Sequence, residues 1–418
     1  MDPVLPYPSL DAGSRRRPFR VLTYSHDSFG LGHLRRSVTL ASAFTACGPH
    51  VHALCLTGSP VPDLFPLPER CDLIKLPSIG KAANGDYIAR RLPMAFGEIS
   101  TLRSDLITAT VRSFRPDLLL VDHTAAGPGG ELLPVLRRLQ NDSNATRIVL
   151  GLRDVVDSPM RARAELQRDR TFEIVRDCYD HVLVYGDADV FDLVREYDFP
   201  RDIAAKVTFT GPVVPNAARS PRQLSEPGAP RHIVVTTGGG EDGYVLLRAA
   251  MAALQGPLRG ERLRATIVAG PLLATTAFAD LARAGRGAPD ITLLRSTDAM
   301  HELLGSADLV IGMGGYNTVY ENLVRGVPLL VLPRRAPREE QWERCRRLAD
   351  SGRLRLLDET TVADPHAFAA ALLHALADAA NHTPAPLPGN GAAVAVRTCM
   401  ALARSRTTPS RTFARFGS

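Results

Sequence analysis

Lysine is nearly missing from this 418-residue chain: of 50 basic residues only Lys75, Lys81 and Lys206 are not arginine. With abundant Ala and Gly, that skew is of the kind a G+C-rich bacterial genome produces. The net charge is +6, but part of the excess sits in Arg15, Arg16 and Arg17 and in Arg404, Arg406, Arg411 and Arg415, at the two ends. Terminal basic runs are ordinarily solvated tails, so charge gives no reason to read a nucleic-acid groove. Six cysteines are scattered without a C-x-x-C pair, which leaves no zinc site and no disulfide framework signalled and fits a reducing, cytoplasmic setting. No run of 18 apolar residues occurs, and MDPVLPYPSLDAGSRRRPF has no apolar signal-peptide core. A membrane span is therefore not expected, while peripheral contact with a membrane surface stays open. Neither G-x-G-x-x-G at a first strand–helix turn nor G-x-x-x-x-G-K-[ST] is present, and no short repeat suggests a solenoid.

What is present is a repeated strand–loop–helix grammar. FRVLTYS (residues 19–25), VHALCLT (51–57), DLLLVD (117–122), RIVLGLRD (147–154) and HVLVYGD (181–187) read as buried strands. They alternate with helical stretches such as 131–140 and 161–178, and a first helix carries Leu34, Val38, Ala41 and Phe44 on one face. NAARSPRQLSEPGAP (216–230) has linker composition. The grammar then restarts with HIVVTTGGGEDG, ATIVAG, ITLLR, ADLVIGMGG, VPLLVLP and RLRLLD. Continuous apolar strands alternating with helices indicate parallel sheets covered on both faces, an α/β chain of two Rossmann-like domains. The expected division is a tail over 1–18, a first domain over 19–215, a linker over 216–230 and a second domain over 231–385. A last helix over 386–404, which could return to the first domain, precedes a second tail over 405–418.

Three glycine turns follow strands: Gly30 with Gly32 before His33, Gly238-Gly239-Gly240, and Gly312 with Gly314 and Gly315. In parallel sheets ligands bind at the carboxyl ends of strands, where helix N-termini offer bare N–H groups to anions. One such turn is ordinarily a packing device, but three at corresponding places argue for anion binding. Thr318 and Glu321 fit a capping box, with Thr318 as N-cap; equally, Glu321 beside an anion-binding turn could accept both hydroxyls of a ribose.

The segment GMGGYNTVYENLVRGVPLLVLPRRAPREEQWERCRRLADSG (312–352) is similar to the donor-site signature of bacterial glycosyltransferases of GT-B fold, in particular glycosyltransferase family 28. That family includes the enzyme adding N-acetylglucosamine to the lipid-linked peptidoglycan precursor. A subgroup of predicted bacterial glycosyltransferases is echoed more closely still, by SFGLGHLRRSVTLA, by Asp122 with Gly127 and Glu131, by GLRDVVDSP, by VTTGGGEDG and by P-R-E-E-Q. The resemblance spans 19–404 and implies two Rossmann-like domains facing across a cleft. It implies that Glu321 binds the donor ribose, that Gln341 faces the donor sugar, and that Gly314, Gly315, Asn317 and Thr318 cradle the diphosphate with the Gly238–Gly240 turn. Asp242 belongs to that turn, and Arg338, with Arg334 and Arg335 nearby, is placed to assist phosphates or an acidic sugar. It implies that His33 faces the reaction centre. His123-Thr124-Ala125 departs from the subgroup, where a proline-containing run follows the aspartate.

Displacement of a nucleoside diphosphate from a sugar C1 needs electrostatic help for the leaving group and a base for the acceptor. His33 and Asp122 lead as that base. His33 opens a helix, where the dipole favours an imidazole able to accept a proton, and Asp122 ends a buried strand, where a carboxylate is costly unless used or paired. Arg35 and Arg36 stand at the wrong end of a helix for cations, so an anion is expected near them. Gly30, Gly32, Arg35, His123 and Arg153 are grouped on the acceptor or phosphate side, with the loop over 77–94 (Lys81, Arg90, Arg91) as part of the acceptor wall. No Asp-x-Asp motif stands near a donor-like loop, so the expected reaction is metal-independent and inverting, with no cofactor, a nucleotide sugar (a UDP-sugar by resemblance) as co-substrate and a small-molecule, glycan or lipid-linked acceptor. The alternatives are a nucleotide-sugar 2-epimerase or hydrolase of the same fold, and a non-catalytic nucleotide-sugar-binding protein. Oligomeric state is not legible in the sequence.

Overall fold

The computed structural model describes residues 17–27, 31–82, 86–141, 146–219, 223, 225–226, 228–381 and 386–405. Gly30 and nearly all of both expected tails lie outside them. The chain forms two compact units: one runs to Val213 and resumes at Asn390, and the other is the continuous segment 214–389.

The first unit holds a seven-stranded parallel sheet. Its strands are β1 (Phe19–Ser25), β2 (Val51–Thr57), β3 (Cys71–Lys75), β6 (Leu118–Asp122), β7 (Arg147–Arg153), β8 (His181–Tyr185) and β9 (Val207–Phe209), and β4 (Ile79–Lys81) pairs with β5 (Tyr87–Ala89) as a separate antiparallel hairpin. The order is β3-β2-β1-β6-β7-β8-β9. Both faces are covered, which is why β6 is buried at every position and reads Leu-Leu-Leu-Val-Asp without alternation. The helix Gly32–Thr45 turns Leu34, Val38, Ala41 and Phe44 inward at helical spacing, each large apolar side chain contributing about 1.5–3 kcal/mol by burial. It packs on β1, on β2 and on the last helix, Gly391–Arg404.

The second unit repeats the plan with six parallel strands: β10 (Arg231–Thr236), β11 (Leu263–Val268), β12 (Ile291–Leu294), β13 (Leu309–Met313), β14 (Leu329–Leu332) and β15 (Arg355–Leu356), in the order β12-β11-β10-β13-β14-β15. In both sheets the first strand lies inside, with neighbours reached in opposite directions. The carboxyl ends of β1 and β6, and of β10 and β13, are therefore topological switch points, where the flanking connections diverge and leave a crevice.

Two local expectations are corrected. The single helix over 161–178 is two helices, Pro159–Arg168 and Thr171–Cys178, because Arg170 is left-handed with φ +51° and breaks the hydrogen-bond ladder between them. The capping box of Thr318 and Glu321 does not form. The helix Tyr316–Arg325 starts as soon as the chain leaves the glycine pair, with Gly315 as N-cap, so Thr318 is already in its first turn.

Candidate functional site

At the first switch point β6 ends on Asp122, and the helix that follows β1 begins one residue before His33. His33 Nδ1 lies 2.6 Å from Asp122 Oδ2. Arg36, one turn further along the same helix, donates from Nε (3.0 Å) and Nη2 (2.9 Å) to Asp122 Oδ1 and from Nη2 (2.8 Å) to Oδ2. His33, Arg36 and Asp122 are 6%, 2% and 5% exposed. Burial alone would raise the Asp122 carboxyl, but the Arg36 charge, then His33 and the hydrogen bonds from both, hold it well below the usual carboxylate range. The anion expected near the two arginines is thus Asp122, and Arg36 is its partner. Arg35 instead stands over the Phe65 ring at 5.6 Å.

His26 and His123 complete a cluster around His33, with ring centroids 4.9 Å and 5.5 Å from it. His26 is buried, and burial first, then His33, lower its basicity well below the ordinary histidine value. His123 is left-handed with φ +75°, its N–H on Gly151 O at 2.8 Å. Gly32 is the first helical residue, and Arg153 ends β7, partly buried. Behind the site lies an ion pair without solvent access: Arg103 donates to Glu131 at 2.6 and 2.7 Å, and the Tyr24 hydroxyl donates to the same carboxylate. Arg103 also holds Pro77 O at 2.6 Å, so this network anchors the start of the 77–94 loop, whose residues 83–85 lie outside the described ones.

At the second switch point the two glycine turns converge on Thr318. A Cβ at Gly238 would lie 3.8 Å from Thr318 Oγ1, and one at Gly312 would lie 3.0 Å from Thr318 Cγ2. Most glycines here have a local reason. Gly238 and Gly240 have φ +65° and +93°, and a Cβ at Gly314 would meet Cys345 Sγ at 2.7 Å. Gly315 has neither reason: its backbone is extended (φ −63°, ψ 143°), and a Cβ there would meet nothing within 4 Å. It opens the first turn of Tyr316–Arg325, whose amides by helix geometry lack intrahelical partners and form a positive pole. Asn317 and Thr318 stand on that turn partly exposed, and Glu321, three residues after Thr318 and thus its neighbour along the helix, is 2% exposed.

The strand–helix connection after β14 braces this turn. Arg334 pairs with Asp242 at 2.9 Å and Glu340 at 3.0 Å, and its N–H donates to Gln341 Oε1 at 3.1 Å. Arg344 Nη1 donates to Gly314 O at 2.9 Å. Arg334 is thus engaged within the protein, Arg335 stacks on Trp342 at 3.5 Å, and Arg338 is partly buried. Among the described residues, no group of three His, Cys, Asp or Glu is placed to hold a metal ion, and no helix is long and apolar enough to cross a membrane.

Sequence reasoning missed His26, Asp27 and Arg344 and gave Arg35 a place that belongs to Arg36. Polar residues directly after a buried parallel strand were the signal for the first two. For Arg344 it was the spacing Gln341, Arg344, Cys345, Leu348, one helical face whose members are all buried.

Comparison with known proteins fits this geometry. Residues 233–390 match the glycosyltransferase family 28 C-terminal domain. No curated protein matches the chain. Among solved structures, MurG of Acinetobacter baumannii superposes with a TM-score of 0.55 at 14% identity, over 92% of this chain and 100% of that one. The calicheamicin glycosyltransferase CalG4 gives 0.61 at 15%, over 94% and 100%. A putative UDP-N-acetylglucosamine 2-epimerase from Listeria monocytogenes gives 0.58 at 16%, over 90% and 94%. The chain thus has the two-domain GT-B fold, and its residues 233–390 match the glycosyltransferase family 28 C-terminal domain.

Proposed function

We propose that the protein transfers a glycosyl group from a nucleoside-diphosphate sugar, a UDP-sugar by likeness to the 2-epimerase named above, to an acceptor nucleophile, with inversion and without a metal. The observation that carries the donor side is Gly315, a glycine that neither backbone strain nor packing requires, at the positive end of a helix within the matched domain. A diphosphate seated there takes the amides of the first turn, with Gly314, Asn317, Thr318 and the Gly238–Gly240 turn around it. Glu321 accepts the ribose hydroxyls, Gln341 meets the sugar, and Arg338 adds charge near the phosphates. Arg334 braces the turn through Asp242.

On the acceptor side His33 is the base and Asp122 its orienting carboxylate. A carboxylate fixed by a forked arginine is too weak a base to take a proton from a hydroxyl at neutral pH, whereas it can accept from the imidazole Nδ1–H and so orient Nε2 as the proton acceptor. His33 Nε2 then takes the acceptor proton as the acceptor oxygen bonds to C1 and the bond from C1 to the diphosphate oxygen breaks. The first-turn amides take the charge that appears on the leaving group.

The test is calorimetric titration with a panel of nucleotide sugars, repeated on Glu321→Ala, with turnover of the best donor followed on wild type and His33→Gln. The reading predicts UDP-sugar binding that Glu321→Ala weakens at least tenfold, and turnover that His33→Gln abolishes. Binding undiminished in Glu321→Ala removes the donor assignment. Because 2-epimerases share the fold, the donor is also incubated alone; inversion at C2 without an acceptor establishes epimerisation in place of transfer.

A further inference from the structure

Asp27 is a fully buried carboxylate outside the set just described, and its hydrogen bonds join the start of the helix that carries His33 to the ends of two strands. The Gly32–Thr45 helix has Leu31 at its N-cap, no side-chain cap and no acidic residue in its first turn. Asp27 supplies both from outside. Its Oδ1 accepts the Leu34 N–H at 2.8 Å, the amide an N-cap side chain would ordinarily take. Its Oδ2 accepts from Ser25 Oγ at 2.5 Å, at the end of β1, and from Thr57 Oγ1 at 2.6 Å, at the end of β2. Asp27 itself is held at φ +46°, a conformation that costs energy unless its surroundings impose it. One carboxylate thus ties two strand ends to the residue next to His33.

We infer that Asp27 is a positioning residue for the base, a statement that rests on the functional reading above. His33 and Arg36 reach Asp122 from one helical turn, so their contacts depend on the rotational setting of that helix. Each residue of slip at the helix start rotates the turn by about 100° and would carry both side chains off Asp122. Holding the Leu34 amide on a carboxylate anchored to the sheet fixes that setting. It thereby fixes the imidazole with Nδ1 on Asp122 and Nε2 as the proton acceptor.

The experiment reads the imidazole directly. In full-length protein labelled with ¹⁵N-histidine and assigned with His33→Gln, neutral His33 is expected as a single Nδ1–H tautomer. Asp27→Ala is expected to give a mixture of tautomers and to lower kcat at least tenfold, with the KM for the nucleotide sugar within twofold. Asp27→Asn keeps an oxygen for the Leu34 amide and an NH₂ group that can donate to the Ser25 or Thr57 hydroxyl oxygen. It is expected to retain the Nδ1–H tautomer, with turnover between wild type and the alanine variant, and it decides the matter if the alanine variant does not fold. Wild-type His33 shifts in Asp27→Ala, or a scrambled tautomer in Asp27→Asn, overturn the inference. A wild-type chain with the expected tautomer and no transfer from any nucleotide sugar overturns the functional reading and leaves the clamp standing.

Discussion

Substituting Gly315 by alanine separates a glycine kept for a ligand from one kept for the fold. At φ −63° and ψ 143° alanine is an ordinary occupant, and its Cβ enters open space. Loss of glycine at an N-cap is unfavourable by up to about 1 kcal/mol, while a stiffer unfolded chain returns about 0.4–1 kcal/mol, so net stability should move by less than about 1 kcal/mol. Binding is another matter. A methyl group standing where a phosphate approaches the first-turn amides removes at least one charge-assisted hydrogen bond, about 1.5–3 kcal/mol. That is roughly a 10- to 150-fold rise in the Kd for UDP. Gly314→Ala is the control, since its Cβ would lie 2.7 Å from Cys345 Sγ and 3.1 Å from Gln341 Cβ, and overpacking of that kind costs about 1–3 kcal/mol of stability. Calorimetric titration with UDP and urea unfolding on both variants complete the comparison. Gly315→Ala binding UDP within threefold of wild type refutes the argument, whatever happens at Gly314.

Asp122→Asn should lower kcat by about 10²–10⁴ with UDP affinity unchanged, and should cost about 3–5 kcal/mol of stability because Arg36 loses its buried carboxylate; steady-state kinetics and urea midpoints read both. Glu131→Gln should destabilise the chain by a similar 3–5 kcal/mol, since Arg103 is left without its counter-charge where neither side chain has solvent access, and an unchanged urea midpoint would count against a structural ion pair there. Acidification separates two buried groups. His26 is less basic folded than unfolded, so the unfolded chain takes its proton first and stability falls as pH drops below about 6.5, whereas the contribution of Asp122 is intact until pH falls below about 4 and is lost through its still lower folded-state value. The loss of urea midpoint between pH 7.5 and 5.5 should therefore shrink in His26→Gln and persist in Asp122→Asn. Exhaustive chelation should leave transfer within twofold, and activity lost to chelator and restored by Mg²⁺ would overturn metal independence.

The sheets were legible because strands covered on both faces carry no polar alternation to confuse, and the glycine turns announced where those strands end. Asp122 was legible as a carboxylate at the end of an apolar run, and His33 as a residue at the start of the helix that follows β1. Arg36 was not separable from Arg35, because adjacent helical positions differ only by rotation and only the fold decides which faces the sheet. Asp27 was illegible for a related reason. Its partners, Ser25, Leu34 and Thr57, converge only when two strands and a helix start are assembled. The failed capping box shows the opposite error, in which a real local pattern was outbid by the glycine N-cap three residues earlier.

The chain leaves the first unit after Val213 and re-enters it at Asn390, and Gly391 lies so close to the departing strand of backbone that a Cβ there would sit 2.3 Å from Pro212 O. Exit and return share one doorway. The second unit is therefore a cassette spliced into its host at a single point, with neighbouring ends and an uninterrupted sequence. Exchanging residues 214–389 for the equivalent stretch of a relative requires two joins, at neighbouring positions of the host backbone.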